Sequence, residues 1–207
     1  MNNTLIAKVT NFNFETLFKK LGYSFFIKGD YNLNLIGIRN SQLNQSEDKF
    51  NDVFLCMYKE KGMWTRIVLS CTTDPGLYYL ENPQNKKGTA ILVPGQYKGA
   101  FKKGLHKGKY PALVQVKSLK IYRDNNKDSI LNLDTNNEIE AEGIGLNIHS
   151  VYSEDNIPEK IGKWSAGCTV IPNLKLFNKF LNVCDQSIKV FGNSFTYTLI
   201  TENDLDK

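Results

Sequence analysis

Short segments rich in branched and aromatic residues, separated by turn-forming residues, recur along most of this 207-residue chain. Segments of this length and composition are typical of β-strands bounded by tight turns. The predicted strands are 33–38, 53–58, 65–71, 90–93, 111–116, 119–122, 143–149 and 195–200. The chain is therefore expected to build its core mainly from β-sheet.

Two segments are predicted to be helical. Residues 12–22 place four apolar side chains at helical spacing and end at Gly22, a residue that commonly terminates helices. Residues 174–184 repeat the helical spacing, and Asn173 is positioned to cap the N-terminus. The predicted fold class is mainly β, a β-rich α+β fold with one or two short helices.

The charge of the chain does not single out a nucleic acid as partner. The net charge is +5, and five lysines fall between residues 98 and 109, but the other lysines are scattered. No nucleic-acid-binding motif accompanies them. A solvated hairpin, or a surface attracted to an anionic cell-wall polymer, explains the lysines equally well, and we predict no nucleic-acid partner.

No targeting segment is predicted. The first residues lack a basic region followed by an apolar core, and no apolar run is long enough to cross a bilayer. We therefore expect no membrane span and synthesis in the cytoplasm. Action at a cell wall would then require lysis, a virion or a dedicated export device.

One of the four cysteines differs from the others in its surroundings. Cys56, Cys71 and Cys184 lie in apolar patterns and are predicted to be small buried hydrophobes, while Cys168 follows Gly167 in a polar, turn-like segment. Four cysteines in a chain of this length are too sparse for a disulfide framework. Cys168 is thus the candidate reactive thiol.

The candidate base for this thiol is His149, one of only two histidines. A free thiol has a pKa of about 8.5, so it needs a base to become a nucleophile near neutral pH. Fifteen residues separate His149 from Ser165, enough for a loop that leaves one strand and returns beside it. Gly167 would free nearby amides for an oxyanion hole, and Ser165 would position the thiol. A buried cysteine with an unrelated surface histidine remains the alternative.

A histidine followed, after about fourteen to seventeen residues, by Ser-x-Gly-Cys resembles the catalytic signature of the YkuD-type L,D-transpeptidase family. His149, Ser165, Gly167 and Cys168 match that signature. The segment 73–78 is similar to a strand entry upstream in that family. The match to the family spans residues 68 to 185, and the whole chain also resembles phage and bacterial proteins with the same Ser-Ala-Gly-Cys form.

The resemblance implies a β-sandwich or barrel that uses no cofactor or metal and forms a cysteine acyl-enzyme with peptidoglycan stem peptides. It divides the chain into residues 68–207, the catalytic domain, and 1–67, a region of unassigned role packed on it. Transfer to an amine would make the protein a transpeptidase, and transfer to water a carboxypeptidase or endopeptidase. An inactive virion or wall-binding protein is the non-enzymatic alternative, and a phage-borne wall-modifying enzyme fits the lack of a signal.

The chain departs from the family at two positions. The family usually has a histidine after the serine and an arginine two residues beyond the cysteine, where this chain has Ala166 and Val170. Because arginine binds carboxylates in a bidentate manner, its loss alters the grip on the substrate. A classical donor stem peptide therefore need not fit.

Other candidates follow from local sequence. His106, in a basic, glycine-flanked segment, is either a supplement to the site or an exposed loop histidine. Ser150, Trp164 and Tyr97 are candidate substrate-binding residues, with packing as the alternative for the two aromatic ones. Oxygen-bearing side chains from Asp124 to Asp134 resemble the start of a calcium loop, but Ser129 and Thr135 break the pattern, which favours a polar hairpin.

Overall fold

A computed structural model describes residues 3–41, 48–133, 138–153 and 156–207. Within these residues the fold is mostly β, as the sequence predicts. Eleven strands in these described segments form one eight-stranded and one three-stranded sheet. Among the described helices, none is both long and apolar enough to span a membrane.

The larger sheet has the strand order β10-β9-β6-β5-β11-β1-β2-β3, and the smaller has β4-β7-β8. Most neighbours are antiparallel, but β1 pairs with β11, and β9 with β10, in parallel. The strands are β1 Asn34–Arg39, β2 Asp52–Glu60, β3 Met63–Cys71, β4 Thr89–Leu92, β5 Gly95–His106, β6 Tyr110–Gln115, β7 Leu119–Asp124, β8 Ile139–Ala141, β9 Ile148–Ser150, β10 Thr169–Ile171 and β11 Phe195–Thr201.

The two ends of the larger sheet meet. Thr72, the residue after β3, exchanges two backbone hydrogen bonds of 2.9 Å with Val170 of β10. These bonds connect the first and last strands of the sheet order, so the sheet is nearly closed into a barrel. Closure of this kind removes the exposed edges that open sheets leave.

In the part of the chain that the structure describes, four α-helices accompany the sheets: α1 Asn3–Thr10, α2 Phe14–Leu21, α3 Leu77–Glu81 and α4 Leu174–Phe191. The two predicted helices correspond to α2 and α4, and the caps are as expected. Asn13 and Asn173 accept hydrogen bonds from Thr16 N–H and Leu176 N–H, and Gly22 adopts the left-handed conformation after α2. A short 3₁₀-helix, Glu202–Asp206, ends the chain.

The main core lies between α4 and the inner face of the larger sheet. Phe177, Phe180 and Leu181 of α4 pack there with Phe54 and Tyr197. Cys56, Cys71 and Cys184 are free, buried members of this core, which confirms their interpretation as small hydrophobes. Helices α1 and α2 cover a second cluster on the other side of β1 and β2.

Two predicted strands are corrected. The predicted strand 143–149 is reduced to Ile148–Ser150, because Gly143 and Gly145 have φ of 59° and 73°, outside the extended region. The segment after Gly76, expected by resemblance to enter a strand, begins helix α3 instead. Tyr79 N–H donates to Gly76 O at 2.9 Å, so the chain turns immediately after the glycine.

The described part of residues 1–67 is joined to the remainder by strand pairing. Residue 67 lies inside β3, and β1 pairs with β11 at the other end of the sequence. The N-terminal region and the remainder of the chain therefore contribute strands to the same sheet. No separate sheet is formed by the N-terminal strands in the described residues.

A buried group of charges fixes the segment at which the barrel closes. Arg39 is fully buried, and its Nη2–H and Nε–H donate to the carbonyl and hydroxyl oxygens of Thr73, both at 3.1 Å. Arg39 Nε also lies 2.8 Å from Asp74 Oδ1. This contact is ionic and not a hydrogen bond, because the Nε hydrogen is directed at the Thr73 hydroxyl. Asp52 accepts hydrogen bonds from Thr73 N–H and Asn40 N–H. Burial, followed by the charge of Asp74, raises the pKa of Asp52 to about 7.

We expect Arg39→Met to destabilise the fold by about 3–5 kcal/mol, because removing the only cation of this group leaves buried carboxylates without a counter-charge. Equilibrium unfolding in urea measures the change. The control is Lys103→Ala, which breaks a partly exposed ion pair of 2.6 Å with Asp185 and should cost about 0–1 kcal/mol. Equal losses in the two variants would contradict the assignment.

Candidate active site

The parallel pairing of β9 and β10 brings His149 and Cys168 together. Thr169 pairs with Ile148 and Val170 with His149, so Cys168, just before β10, lies beside Asn147. The chain between them leaves β9 and returns next to it, as the spacing predicts. The alternative, a surface histidine unrelated to the cysteine, is wrong about the position of His149. This residue is 2% exposed, and one of its ring nitrogens lies within 4.8 Å of the Cys168 thiol.

The Cys168 thiol is buried and contacts the backbone on two sides. Asn147 N–H donates to Sγ at 3.4 Å, and the thiol in turn donates to Gly145 O at 3.4 Å. Burial raises the pKa of Cys168 to about 11, and the Asn147 amide and the charge of Lys107 offset part of that increase. The thiol is therefore protonated at neutral pH.

His149 is held as a neutral imidazole. Its Nδ1 lies 3.0 Å from Ser150 O, which can only accept, so Nδ1 carries the hydrogen and Nε2 keeps its lone pair. Burial, followed by the electrostatic effect of the neighbouring His106, lowers the pKa of His149 to about 3. The resting pair is consequently a thiol and a neutral base with a free lone pair.

Ser165 and Gly167 shape the turn that presents Cys168. Ser165 is fully buried, its Oγ–H donates to Cys168 O at 2.8 Å, and its Oγ accepts from Gly167 N–H at 3.1 Å. Gly167 has φ of 119°, and a Cβ there would lie 2.2 Å from Ala90 O. Ser165 thus holds the backbone on both sides of the turn, and its role in positioning the thiol stays a prediction. The Gly167 amide is engaged, which corrects the expectation that it is free for an oxyanion.

His106 lies beside His149. It ends β5, is 8% exposed and stacks on the His149 ring with centroids 4.2 Å apart, so its interpretation as an exposed loop residue is wrong. Its Nδ1 lies 2.9 Å from Asn147 Nδ2, and Asn147 Oδ1 accepts from Gln115 N–H at 2.9 Å. Because a backbone N–H can only donate, the Asn147 amide orientation is fixed. Its NH₂ therefore donates to His106 Nδ1, and the His106 hydrogen resides on Nε2.

A ring nitrogen of His106, a ring nitrogen of His149 and Cys168 Sγ lie within 4.8 Å of one another. Two histidines and a cysteine are a familiar donor set for zinc. A ligating histidine, however, donates its other ring N–H to an acceptor. His149 meets that condition, but His106 Nδ1 faces a donor, so its free nitrogen carries a hydrogen. The donor set therefore does not favour a metal in this hydrogen-bonding arrangement.

Cys168 and both histidines line a cavity of about 610 Å³. Three cationic residues, Lys107, Arg123 and Lys163, also line it, and no described lining residue is acidic. Trp164, a predicted substrate-binding residue, lines the cavity and is 38% exposed. An electropositive, partly aromatic cavity of this size favours an extended anionic ligand over a cationic one.

The other two predicted substrate-binding residues lie outside this cavity. Ser150 is fully buried, and its Oγ–H donates to Ile171 O at 2.8 Å, so it contributes to the β9–β10 pairing. Tyr97 packs against the main core, and its hydroxyl donates to Val93 O at 2.5 Å. Tyr97 lines a separate depression near Pro94 and Lys120. Neither residue is placed to contact a substrate at Cys168.

The two departures from the family pattern have different environments. Ala166 lines the cavity, whereas Val170 is fully buried in a small cluster with Phe50 and Ile161. A cation at position 170 would therefore enter an apolar cluster. Here the cations lining the cavity come from the β5–β6 hairpin, β7 and the segment before Ser165.

The loop after β7 has the features of a polar hairpin. Asp124 is buried and its Oδ2 accepts from Asn132 N–H at 3.0 Å, while Asp128 accepts from Ile130 N–H. The Asp128 contact is an Asx turn, as expected for the alternative interpretation, and the Asp124 contact joins the two ends of the loop. Asp134 and Thr135 lie outside the described residues.

Sequence reasoning missed Asn147, which contacts both the thiol and His106, and Tyr152, whose ring lies 5.7 Å from His149 and stacks on Tyr110 at 3.7 Å. Asn147 could have been found from the parallel pairing of β9 with β10. In that register the residue two positions before His149 lies beside Cys168. Tyr152 offered no signal before the strands were placed.

Comparisons of the chain with models of protein families, with curated proteins and with solved structures found no match. The function is therefore argued from the geometry of the site.

The raised thiol pKa predicts the pH dependence of Cys168 alkylation. Because the thiolate is the reactive form, the iodoacetamide rate should rise about tenfold per pH unit from pH 7 to pH 10, without a plateau near 8.5. Peptide mass spectrometry assigns the modified cysteine and uses the buried Cys184 as internal control. A rate that is already flat above pH 7 would indicate a stable thiolate and contradict the neutral pair.

Proposed function

We propose that this protein is a cysteine-dependent acyltransferase that acts on peptidoglycan stem peptides, in the manner of L,D-transpeptidases. The observation that carries the proposal is the placement of Cys168 Sγ and a His149 ring nitrogen within 4.8 Å of each other in the 610 Å³ cavity. The sequence signature formed by His149, Ser165, Gly167 and Cys168 supplies the class of reaction and the substrate class.

The reaction has two steps. In the first, His149 Nε2 takes the Cys168 proton as Sγ bonds to an amide carbonyl carbon; the C–N bond then breaks and the amine leaves with that proton. In the second, an amine or water attacks the thioester carbon and gives its proton to His149. The C–Sγ bond breaks, and the proton returns to the thiol.

The neutral resting pair fits this sequence of events. A thiol and an uncharged imidazole hold no charge in the buried site until the carbonyl arrives, so no buried ion pair has to be stabilised in the free protein. His149 Nε2 is an acceptor because Nδ1–H is committed to Ser150 O. The base is thereby oriented without a carboxylate.

The charge of the cavity supports a stem peptide as the ligand. Stem peptides carry free carboxylates, and the described lining residues include Lys107, Arg123 and Lys163 but no acid. Arg123 Nε is buried without a hydrogen-bond partner, while its Nη1–H donates to Gly88 O at 2.9 Å. A carboxylate in the cavity would therefore meet cations contributed by three separate segments of the chain.

Incubation with defined tetrapeptide and pentapeptide stems should add the mass of an acyl fragment to Cys168, because the thioester forms before the acceptor arrives. Intact-mass and peptide-level spectrometry measure the adduct. Cys168→Ala should abolish it, and Cys184→Ala, which alters another buried thiol outside the cavity, should retain it.

The acceptor is identified in the same experiment. Cross-linked products formed after adding an amine acceptor indicate a transpeptidase, and release of cleaved stems alone indicates a hydrolase. A folded protein in which no stem ever modifies Cys168 would refute the proposed function.

The electropositive cavity predicts that Cys168 prefers anionic reagents. At pH 9, the ratio of the iodoacetate rate to the iodoacetamide rate should exceed that of free cysteine by roughly two- to tenfold, and 1 M salt should reduce the excess. Lys107→Gln should lower the ratio because Lys107 lines the cavity and its charge acts on Cys168.

The matched control is Lys120→Gln, an exposed lysine on β7 outside that cavity, which should leave the ratio unchanged. A ratio equal to that of free cysteine in the wild-type protein would show that the cavity does not select anions.

A further inference from the structure

The resting structure leaves the expected oxyanion hole short of a donor. Gly167 N–H, one of the amides expected to stabilise the oxyanion, donates instead to Ser165 Oγ at 3.1 Å. Attack on a carbonyl moves negative charge onto its oxygen, and removing one donor to that oxygen typically costs about 10²–10³ in kcat. Another donor in the cavity is therefore required for efficient acyl transfer.

His106 has the properties of that donor. It lines the cavity, stacks on His149 at 4.2 Å and has a ring nitrogen within 4.8 Å of Cys168 Sγ. Its Nδ1 accepts from the Asn147 amide, whose orientation is fixed by Gln115 N–H. The remaining nitrogen, Nε2, therefore carries a hydrogen that has no hydrogen-bond acceptor among the described residues.

We propose that His106 is a catalytic hydrogen-bond donor, whose Nε2–H binds the carbonyl oxygen that becomes negatively charged when Cys168 attacks. This role rests on the proposed acyl transfer. The two histidines are held in opposite tautomers: His149 by an acceptor, which leaves a lone pair, and His106 by a donor, which leaves an N–H. One ring is thus the base and the other the electrophile.

The arrangement prevents the two rings from exchanging roles. His106 cannot take the Cys168 proton while its lone pair accepts from Asn147, and His149 cannot donate from Nε2 until it has received that proton. No proton leaves His106 during attack; its hydrogen bond strengthens as the oxygen gains charge and weakens when the C–N bond breaks. Burial, followed by the charge of Lys107, lowers the pKa of His106 and keeps it neutral.

Asn147 couples this donor to the nucleophile. Its side chain holds His106, its backbone N–H donates to Cys168 Sγ at 3.4 Å, and its carbonyl accepts from Thr169 N–H at 3.0 Å. A single residue therefore sets the positions of the thiol and of the donor relative to each other. We assign Asn147 as a positioning residue.

The tautomers can be read directly, because the chain has only two histidines. Long-range ¹H–¹⁵N spectra of ¹⁵N-histidine-labelled protein should show one ring protonated at Nδ1 and the other at Nε2, and His106→Gln should remove the Nε2–H pattern. In Asn147→Asp, recorded at pH 9 so that the imidazole is neutral, the new oxygen should move the His106 hydrogen to Nδ1. A wild-type His106 protonated at Nδ1 would overturn the proposal.

The catalytic role is tested by comparing two reactions of the same thiol. Acylation of Cys168 by p-nitrophenyl acetate develops an oxyanion, whereas alkylation by iodoacetamide does not. His106→Leu and Asn147→Asp should lower the acylation rate about 10²–10³-fold relative to the alkylation rate. His106→Gln, which can accept from Asn147 with Oε1 and donate with Nε2, should recover part of the loss.

Equal effects of His106→Leu on both reactions would mean that the residue acts only on the thiol, and would overturn the proposal. Because p-nitrophenyl acetate is not a stem peptide, the two proposals fail separately. If stem peptides form no adduct but acylation by p-nitrophenyl acetate still depends on His106, only the proposed substrate class is refuted. If stem peptides form the adduct equally well in His106→Leu, only the proposed donor role of His106 is refuted.

Discussion

The arrangement of the site depends on the two backbone hydrogen bonds that join Thr72 to Val170. They hold β10 at the end of the sheet, and β10 in turn fixes the segment that carries Cys168 next to β9. The bonded segment continues to Gly76, whose N–H donates to Ser165 O at 2.9 Å. The buried Arg39 and Asp52 stabilise this segment from β1 and β2, so the N-terminal strands help to hold the segment on which the position of Cys168 depends.

Desolvation governs the chemistry of the site more than direct charge pairing does. Burial is the largest cause of both the raised pKa of Cys168 and the lowered pKa of His149. Each shift favours the uncharged form, so the Cys168 thiol and the His149 imidazole are both uncharged at neutral pH. Lys107 lies on the hairpin that follows His106 and opposes only part of the effect at the thiol. The positive charges that line the cavity then act mainly on the incoming ligand.

Much of the sheet could be predicted because branched and aromatic residues alternate with turn signals, and the proximity of His149 to Cys168 could be predicted from the spacing of His149 and Ser165. The shortened β9 could not, because glycine adopts positive and negative φ about equally readily, so the sequence does not reveal that Gly143 and Gly145 leave the extended region. The position of His106 beside His149 and Asn147 could not be predicted from the sequence either. It lies 41 residues from Asn147, and only the pairing of β5 with β6, and of β6 with β9, brings the two together.

The position of His106 at the last rung of the β5–β6 ladder, opposite Tyr110, has a further consequence. Side chains of a strand alternate between faces, so a slip of one residue in this ladder would turn the imidazole away from the cavity. The hairpin closes with only Lys107, Gly108 and Lys109, and Gly108 has φ of 68°. The proposed donor role of His106 therefore depends on strand register, and the largest insertion in this hairpin that preserves acylation would measure how accurately the ring has to be placed.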